Sequence, residues 1–142
     1  MRIRSSVISV LGLLWLVGCG PRVIERETSD HGGDQLVTLS RMYTAAQRSF
    51  GRPPRGLDDL KAVAKEYGDL DRLLKSPNDG QPYAIAWGVD LGNAPNATMV
   101  VAHEKLGTGG VRYVMTPTGI MKLTDQEFAR AIFPPGYRPP TR

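Results

Sequence analysis

Asp34-Gln35-Leu36-Val37-Thr38-Leu39-Ser40-Arg41-Met42-Tyr43-Thr44-Ala45-Ala46-Gln47-Arg48-Ser49-Phe50 sets Leu36, Leu39, Tyr43, Ala46 and Phe50 three, four, three and four residues apart. That spacing is one face of an α-helix. Asp34 stands where an N-cap belongs and Gly51 where a helix is closed. After the loop Arg52-Pro53-Pro54-Arg55-Gly56 the helical spacing resumes at Leu57, Leu60, Ala64 and Tyr67. Asp58 and Asp59 sit in its first turn, and Gly68 follows its end. Leu70, Leu73 and Leu74 predict one further short turn.

Beyond the turn Ser76-Pro77-Asn78-Asp79-Gly80 the period changes to two. Tyr83, Ile85, Trp87 and Val89 alternate with Ala84, Ala86, Gly88 and Asp90, which predicts a strand with one large and one small face. Thr98 to Ala102 is a nearly continuous apolar run, suited to a central strand covered on both sides. Val111, Tyr113 and Met115 alternate again, and Thr116-Pro117-Thr118-Gly119 turns the chain into a last strand at Ile120–Leu123. Thr124 and Glu127 match a capping box opening a short helix that ends near Phe133. The fold class is therefore α+β: an amphipathic helix, a second helix, a four-stranded antiparallel meander and a short C-terminal helix. Helix 34–50 is expected to cover the sheet. This places a globular domain at 34–133 and leaves 134–142, PPGYRPPTR, as a disordered proline-rich tail.

Upstream, residues 20–33 carry no sustained apolar period and read as a flexible tether of about 50 Å at full stretch. Before it, Arg2 and Arg4 precede an eleven-residue apolar run, Val7 to Val17, broken only by Ser9 and Gly12. This run is too short to span a bilayer, which takes roughly 20 residues, and fits the core of an export signal. Leu16-Val17-Gly18-Cys19 follows. It resembles the lipobox of bacterial lipoproteins. The resemblance implies a signal peptide at 1–18, cleavage after the motif Leu16, Val17 and Gly18, and acylation of Cys19, which with the tether forms segment 19–33. Membrane lipid is then the first partner, held through Cys19. Two or three acyl chains hold a protein stably where one does not. Gly20 in place of an aspartate favours the outer over the inner membrane, with the domain in the periplasm.

Composition agrees with an exported globular chain. Of 142 residues, 41% are hydrophobic and 23% charged, and 18 basic side chains oppose 14 acidic ones for a net charge of +4. Loss of Arg2 and Arg4 with the signal leaves 16 against 14, a net +2 with no basic run. Nucleic acid is excluded as a partner. A lone cysteine and two histidines exclude a disulfide framework and the common zinc sites.

A second resemblance rests on Tyr43 to Phe50, then Gly51-Arg52-Pro53-Pro54, Leu57 and Leu60, and on Pro77, Asp79-Gly80, Pro82 and Tyr83. This stretch of about fifty residues is similar to the globular part of type IV pilins and of the type II secretion major pseudopilin. The resemblance implies a pilin-like fold and a partner in a secretion or pilus-like assembly. A lipobox stands where that family carries its prepilin-peptidase site and long apolar helix. No acidic cluster matches its calcium site. Filament assembly and calcium binding are therefore not implied.

No catalytic template fits, and no cofactor or metal is expected. His103-Glu104 begins like a zinc-protease helix, but Gly107 occupies the second histidine's place. His103 reads as a packed residue at a strand end. Asp30-His31 with Asp34 could bind a metal only if the flexible tether preorganised it, which a tether does not, and Gly107-Thr108-Gly109-Gly110 reads as a hairpin loop lacking the Lys-Ser/Thr of a phosphate loop. Asp58 and Asp59 diverge by about 100° around a helix and suit its start rather than paired acid–base work. Tyr83 and Trp87 are expected in the core; exposed, they would mark a binding surface. Three function classes follow. The leading one is a non-enzymatic, membrane-anchored interaction module; the others are a small-ligand binder or enzyme using His103 and Glu104, and a purely structural envelope protein.

Overall fold

The computed structural model describes residues 31–140. Leu16, Val17, Gly18, Cys19 and the tether to residue 30 lie outside the described residues. The first described element is helix α1, His31–Phe50, which buries Leu36, Leu39, Met42, Tyr43 and Ala46 along the face expected from the spacing. Two details depart from expectation. Phe50 is 40% exposed, with the Arg52 guanidinium 5.3 Å above its ring, so the core stripe ends at Ala46. The helix also includes His31, Gly32 and Gly33, which the lack of apolar period places in the tether, so Asp34 is a first-turn acid and not the N-cap. A tertiary contact accounts for this. Gly32 is buried and passes so near Asn78 and Tyr113 that a Cβ would collide with the Asn78 amide, while the Tyr83 hydroxyl donates to the Gly32 carbonyl at 3.2 Å.

Helix α2, Leu57–Val63, tightens into a 3₁₀ turn at Ala64–Glu66. Helix α3, Leu70–Leu73, is capped by the Asp69 carboxylate, which accepts from the backbone N–H groups of Asp71 and Arg72. Gly51 and Gly68, at φ +62° and +105°, follow the ends of α1 and of the 3₁₀ turn where the sequence places them.

The sheet is an antiparallel meander in the order β1 (Ala84–Ile85), β2 (Ala102–His103), β3 (Val111–Thr116) and β4 (Gly119–Thr124). The first strand is far shorter than the alternation over 83–89 predicts. One further bond, Ala86 N–H to Val101 O at 2.7 Å, extends it before the chain turns at Gly88, whose N–H reaches Pro54 O at 2.8 Å. Beyond the turn the Tyr43 hydroxyl donates to Val89 O and accepts from Val89 N–H, each at 3.1 Å, in place of a neighbouring strand. Ala84 and Ala86 are consequently buried alongside Tyr83 and Val89, while Ile85 and Trp87 are only half-buried.

Met99 to Ala102 is buried on both sides, as its apolar run requires. Met115, Val101 and Ala102 join the α1 cluster; Val114 and Val100 point the other way, to Phe128. Helix α4, Asp125–Ala129, opens with the expected capping box between Thr124 and Glu127 but stops short of Phe133. From there the chain continues as a strap. Val100 N–H donates to Ile132 O at 2.8 Å, and the rings of Phe133 and Tyr137 pack beside His103 at 6.1 Å each. The expected disordered tail is corrected accordingly. Residues 134–137 are part of the fold, because Phe133 and Tyr137 close a face that α4 alone is too short to cover.

Candidate functional site

The pleat of β2 sends His103 and Glu104 to opposite faces of the sheet. His103 is 1% exposed and enters the face closed by α4 and the strap. Its Nδ1 lies 2.8 Å from the Glu104 carbonyl, which only accepts, so Nδ1 carries the proton. Nε2 is then the acceptor for the Tyr137 hydroxyl at 2.9 Å. Phe128 meets the imidazole edge-on, centroids 4.8 Å apart. Burial holds the imidazole below the usual histidine range, and the charges of Arg112 and Lys105 push the same way against the Glu104 hydrogen bond. Burial also raises the Tyr137 phenol, keeping it a donor. Both ring nitrogens are engaged by the fold. His103 is a packed residue, as the sequence suggests, with a tail partner that it does not reveal.

Glu104 is equally buried but faces α1's side of the sheet. Its Oε1 accepts from the Ser76 hydroxyl at 2.6 Å and the Asn78 amide at 2.9 Å, and its Oε2 from Tyr113 N–H at 2.8 Å. The carboxylate thereby ties the turn before β1 to β3. Beside it lies a cleft of about 180 Å³ lined by Asn78, Glu104, Thr108, Val111, Tyr113 and Lys122. This is below the roughly 300 Å³ at which ligand pockets begin. The structure does not bring His103 and Glu104 together in one cavity.

Arg112, 5% exposed, is a second buried charge that sequence reading does not single out. Its guanidinium donates to Lys105 O at 3.0 Å and Asp125 Oδ1 at 2.8 Å and lies 4.1 Å from the Phe128 ring centroid. It thus clamps the loop after β2 to α4. Partners 7 and 13 residues away leave no local motif that would announce it.

The other sequence-flagged groups are dispersed. His31 and Asp34 lie exposed on α1. Asp58 pairs with Lys61 at 3.0 Å and Asp59 with Arg52 at 2.8 Å, in keeping with a helix-start role. Gly107 to Gly110 form the expected turn, with a Thr108–Val111 bridge. Among the described residues no group of His, Cys, Asp and Glu is arranged to hold a metal ion.

An aromatic surface remains. Trp87 stacks on Tyr43, centroids 6.4 Å apart at 13°, and forms the wall between two shallow clefts. One, about 190 Å³, is lined by Leu57, Leu74, Pro82, Tyr83, Ile85 and Trp87. The other, about 270 Å³, is mixed: Val89, Met99, Pro134 and Pro135 line it together with Asp90 and Asn93. Tyr83 is thus core as expected, whereas Trp87 is shared between core and surface.

Comparisons with family models, curated proteins and solved structures return no match.

Proposed function

We propose that this chain is a lipid-anchored protein of the bacterial cell envelope whose folded domain serves as a non-enzymatic interaction module. The carrying observation is Leu16-Val17-Gly18-Cys19 behind a basic start and an eleven-residue apolar core. Acylation of Cys19 supplies the membrane contact, and Gly20 favours the outer membrane, with the domain in the periplasm. No described helix is long and apolar enough to cross a bilayer.

The reading as a module rests on what the polar groups do. Glu104, His103 and Arg112 each spend their hydrogen bonds on tying segments together. The twin clefts around Trp87 offer apolar contact area instead. The finer, pilin-like reading is supported by an amphipathic helix preceding an antiparallel meander, and with it comes a partner in a secretion or pilus-like assembly. That step is an analogy of fold.

Intact-mass spectrometry of the processed amino terminus tests the anchor. The expected species begins at an acylated Cys19; an unmodified Cys19, or cleavage elsewhere, overturns the reading. Cys19→Ser should abolish both lipidation and processing, since the lipoprotein peptidase is expected to require the acylated cysteine. Recovery of a specific envelope protein from detergent-solubilised membranes, lost on Trp87→Asp, tests the module.

A further inference from the structure

The basic side chains of the helical layer differ in their partners: Arg41, Arg48, Lys65 and Arg72 stand outside the ion pairs of the described residues, whereas two others are paired. Arg52 and Lys61 are neutralised by Asp59 and Asp58, at 2.8 and 3.0 Å. Arg41 and Arg48 are different. Both are exposed on α1, seven residues apart, which puts them on one side of the helix about 10 Å from each other along its axis. No described carboxylate lies within ion-pair distance of either. Between them runs a groove of about 320 Å³, lined by Ser40, Arg41, Thr44, Ala45, Arg48 and Tyr67.

The lining selects one ligand chemistry. It contains two guanidinium forks and three hydroxyls, and no carboxylate. The Thr44 hydroxyl is already committed to the Ser40 carbonyl at 2.9 Å, which leaves those of Ser40 and Tyr67 to the groove. Tyr67 packs partly against the core, so this wall of the groove is fixed by the fold. Planar guanidinium groups flanked by hydroxyl donors match the oxygens of a phosphate, which they bind bidentately.

We propose that the α1 groove binds a phosphate group through Arg41 and Arg48, and that the headgroups of the anchoring membrane supply it. The membrane half of this rests on the anchor proposed above. From Cys19 to His31 the chain reaches about 40 Å at full stretch, so α1 is within range of the bilayer surface. There, Arg41 and Arg48 would turn α1 towards the membrane and the Trp87 face elsewhere.

The test uses the full chain as processed by its host, purified in an uncharged detergent and titrated with two probes. Glycerol phosphate reports a free phosphate ester, and dihexanoyl phosphatidylglycerol reports a lipid headgroup. Amide chemical shifts are followed. Saturable shifts confined to residues 40–48 and Tyr67 are expected. Response to both probes supports a site for the phosphate group itself, and response to the lipid alone supports the membrane as its source. Response to glycerol phosphate alone keeps the phosphate site and overturns the membrane source. Arg41→Gln/Arg48→Gln should keep the melting curve and weaken binding on the order of tenfold or more. No saturable shift with either probe, or undiminished binding by the double variant, overturns the proposal. The mass of Cys19 separates the two readings, because a saturable groove on a chain with unmodified Cys19 leaves the phosphate site and removes only its membrane source.

Discussion

The two faces of the sheet are closed by different means. On one side a single 20-residue helix lays Leu36, Leu39, Met42, Tyr43 and Ala46 across Val101, Ala102 and Met115, all buried. On the other, a five-residue helix and an irregular strap close a small cluster of Val100, Val114 and Phe128, with His103 and Arg112 buried among aromatic rings. The first face draws mainly on area, since each fully buried aliphatic side chain contributes about 1.5–3 kcal/mol, with the Glu104 carboxylate and Tyr43 phenol adding hydrogen bonds at its margins. The second draws on specific contacts: an imidazole between a carbonyl and a phenol, and a guanidinium between a carbonyl, a carboxylate and a ring. Area is indifferent to pH, whereas contacts of this kind depend on which proton sits where.

Breaking the α1 face should cost most. Leu39 is fully buried near the middle of the helix. Leu39→Asp must desolvate a carboxylate or detach α1, with an expected loss of about 4 kcal/mol or more. Circular dichroism should then show no cooperative melt. Phe128→Ala opens the opposite face, removing the ring under Arg112 and beside His103. Its cost is expected to be about 3 kcal/mol, read as a lower urea midpoint with α1 retained at low denaturant.

Tyr137→Phe is the gentlest break, deleting the donor to His103 Nε2 at a cost of about 1 kcal/mol. Acid sharpens the same point. Because burial lowers the folded pKa of His103, the unfolded chain takes up its proton first. The contribution is therefore intact above the ordinary value near 6.5. It is lost as pH falls below that value towards the depressed folded one. Hydrogen exchange locates the effect on two adjacent amides. Val100 N–H is held by Ile132 O in the strap and Val101 N–H by Met115 O in β3. On acidification Val100 should lose protection before Val101, and His103→Gln should remove that pH dependence. Simultaneous loss at both amides would mean that the two faces unfold as one.

The two faces also differed in how readable they were. Spacings of three and four residues announce α1, because a long helix against a flat sheet repeats one contact many times. The strap repeats nothing. Its prolines read as disorder, and its two working rings, Phe133 and Tyr137, stand four apart in a stretch that cannot be helical. The start of α1 was hidden for a related reason, since Gly32 is helical through its fit against Asn78 and Tyr113. Alternation found the strand around Ala84 and the burial of Tyr83 and Val89, but not that Ala84 and Ala86 are buried while Ile85 and Trp87 are only half-buried, because the chain leaves the sheet at Gly88 and the Tyr43 phenol receives it. Of the polar residues, the His103-Glu104 pair was conspicuous by type. What it does depended on Ser76, Asn78 and Tyr137, 26 to 34 residues away.

The close fit of Gly32 has a mechanical meaning. Under the anchor proposed above, every tug on the segment before residue 31 enters the domain at the first turn of α1. There the backbone is wedged against Asn78 and Tyr113 and gripped at its carbonyl by the Tyr83 hydroxyl. Load then spreads along the longest element and into the broadest buried face.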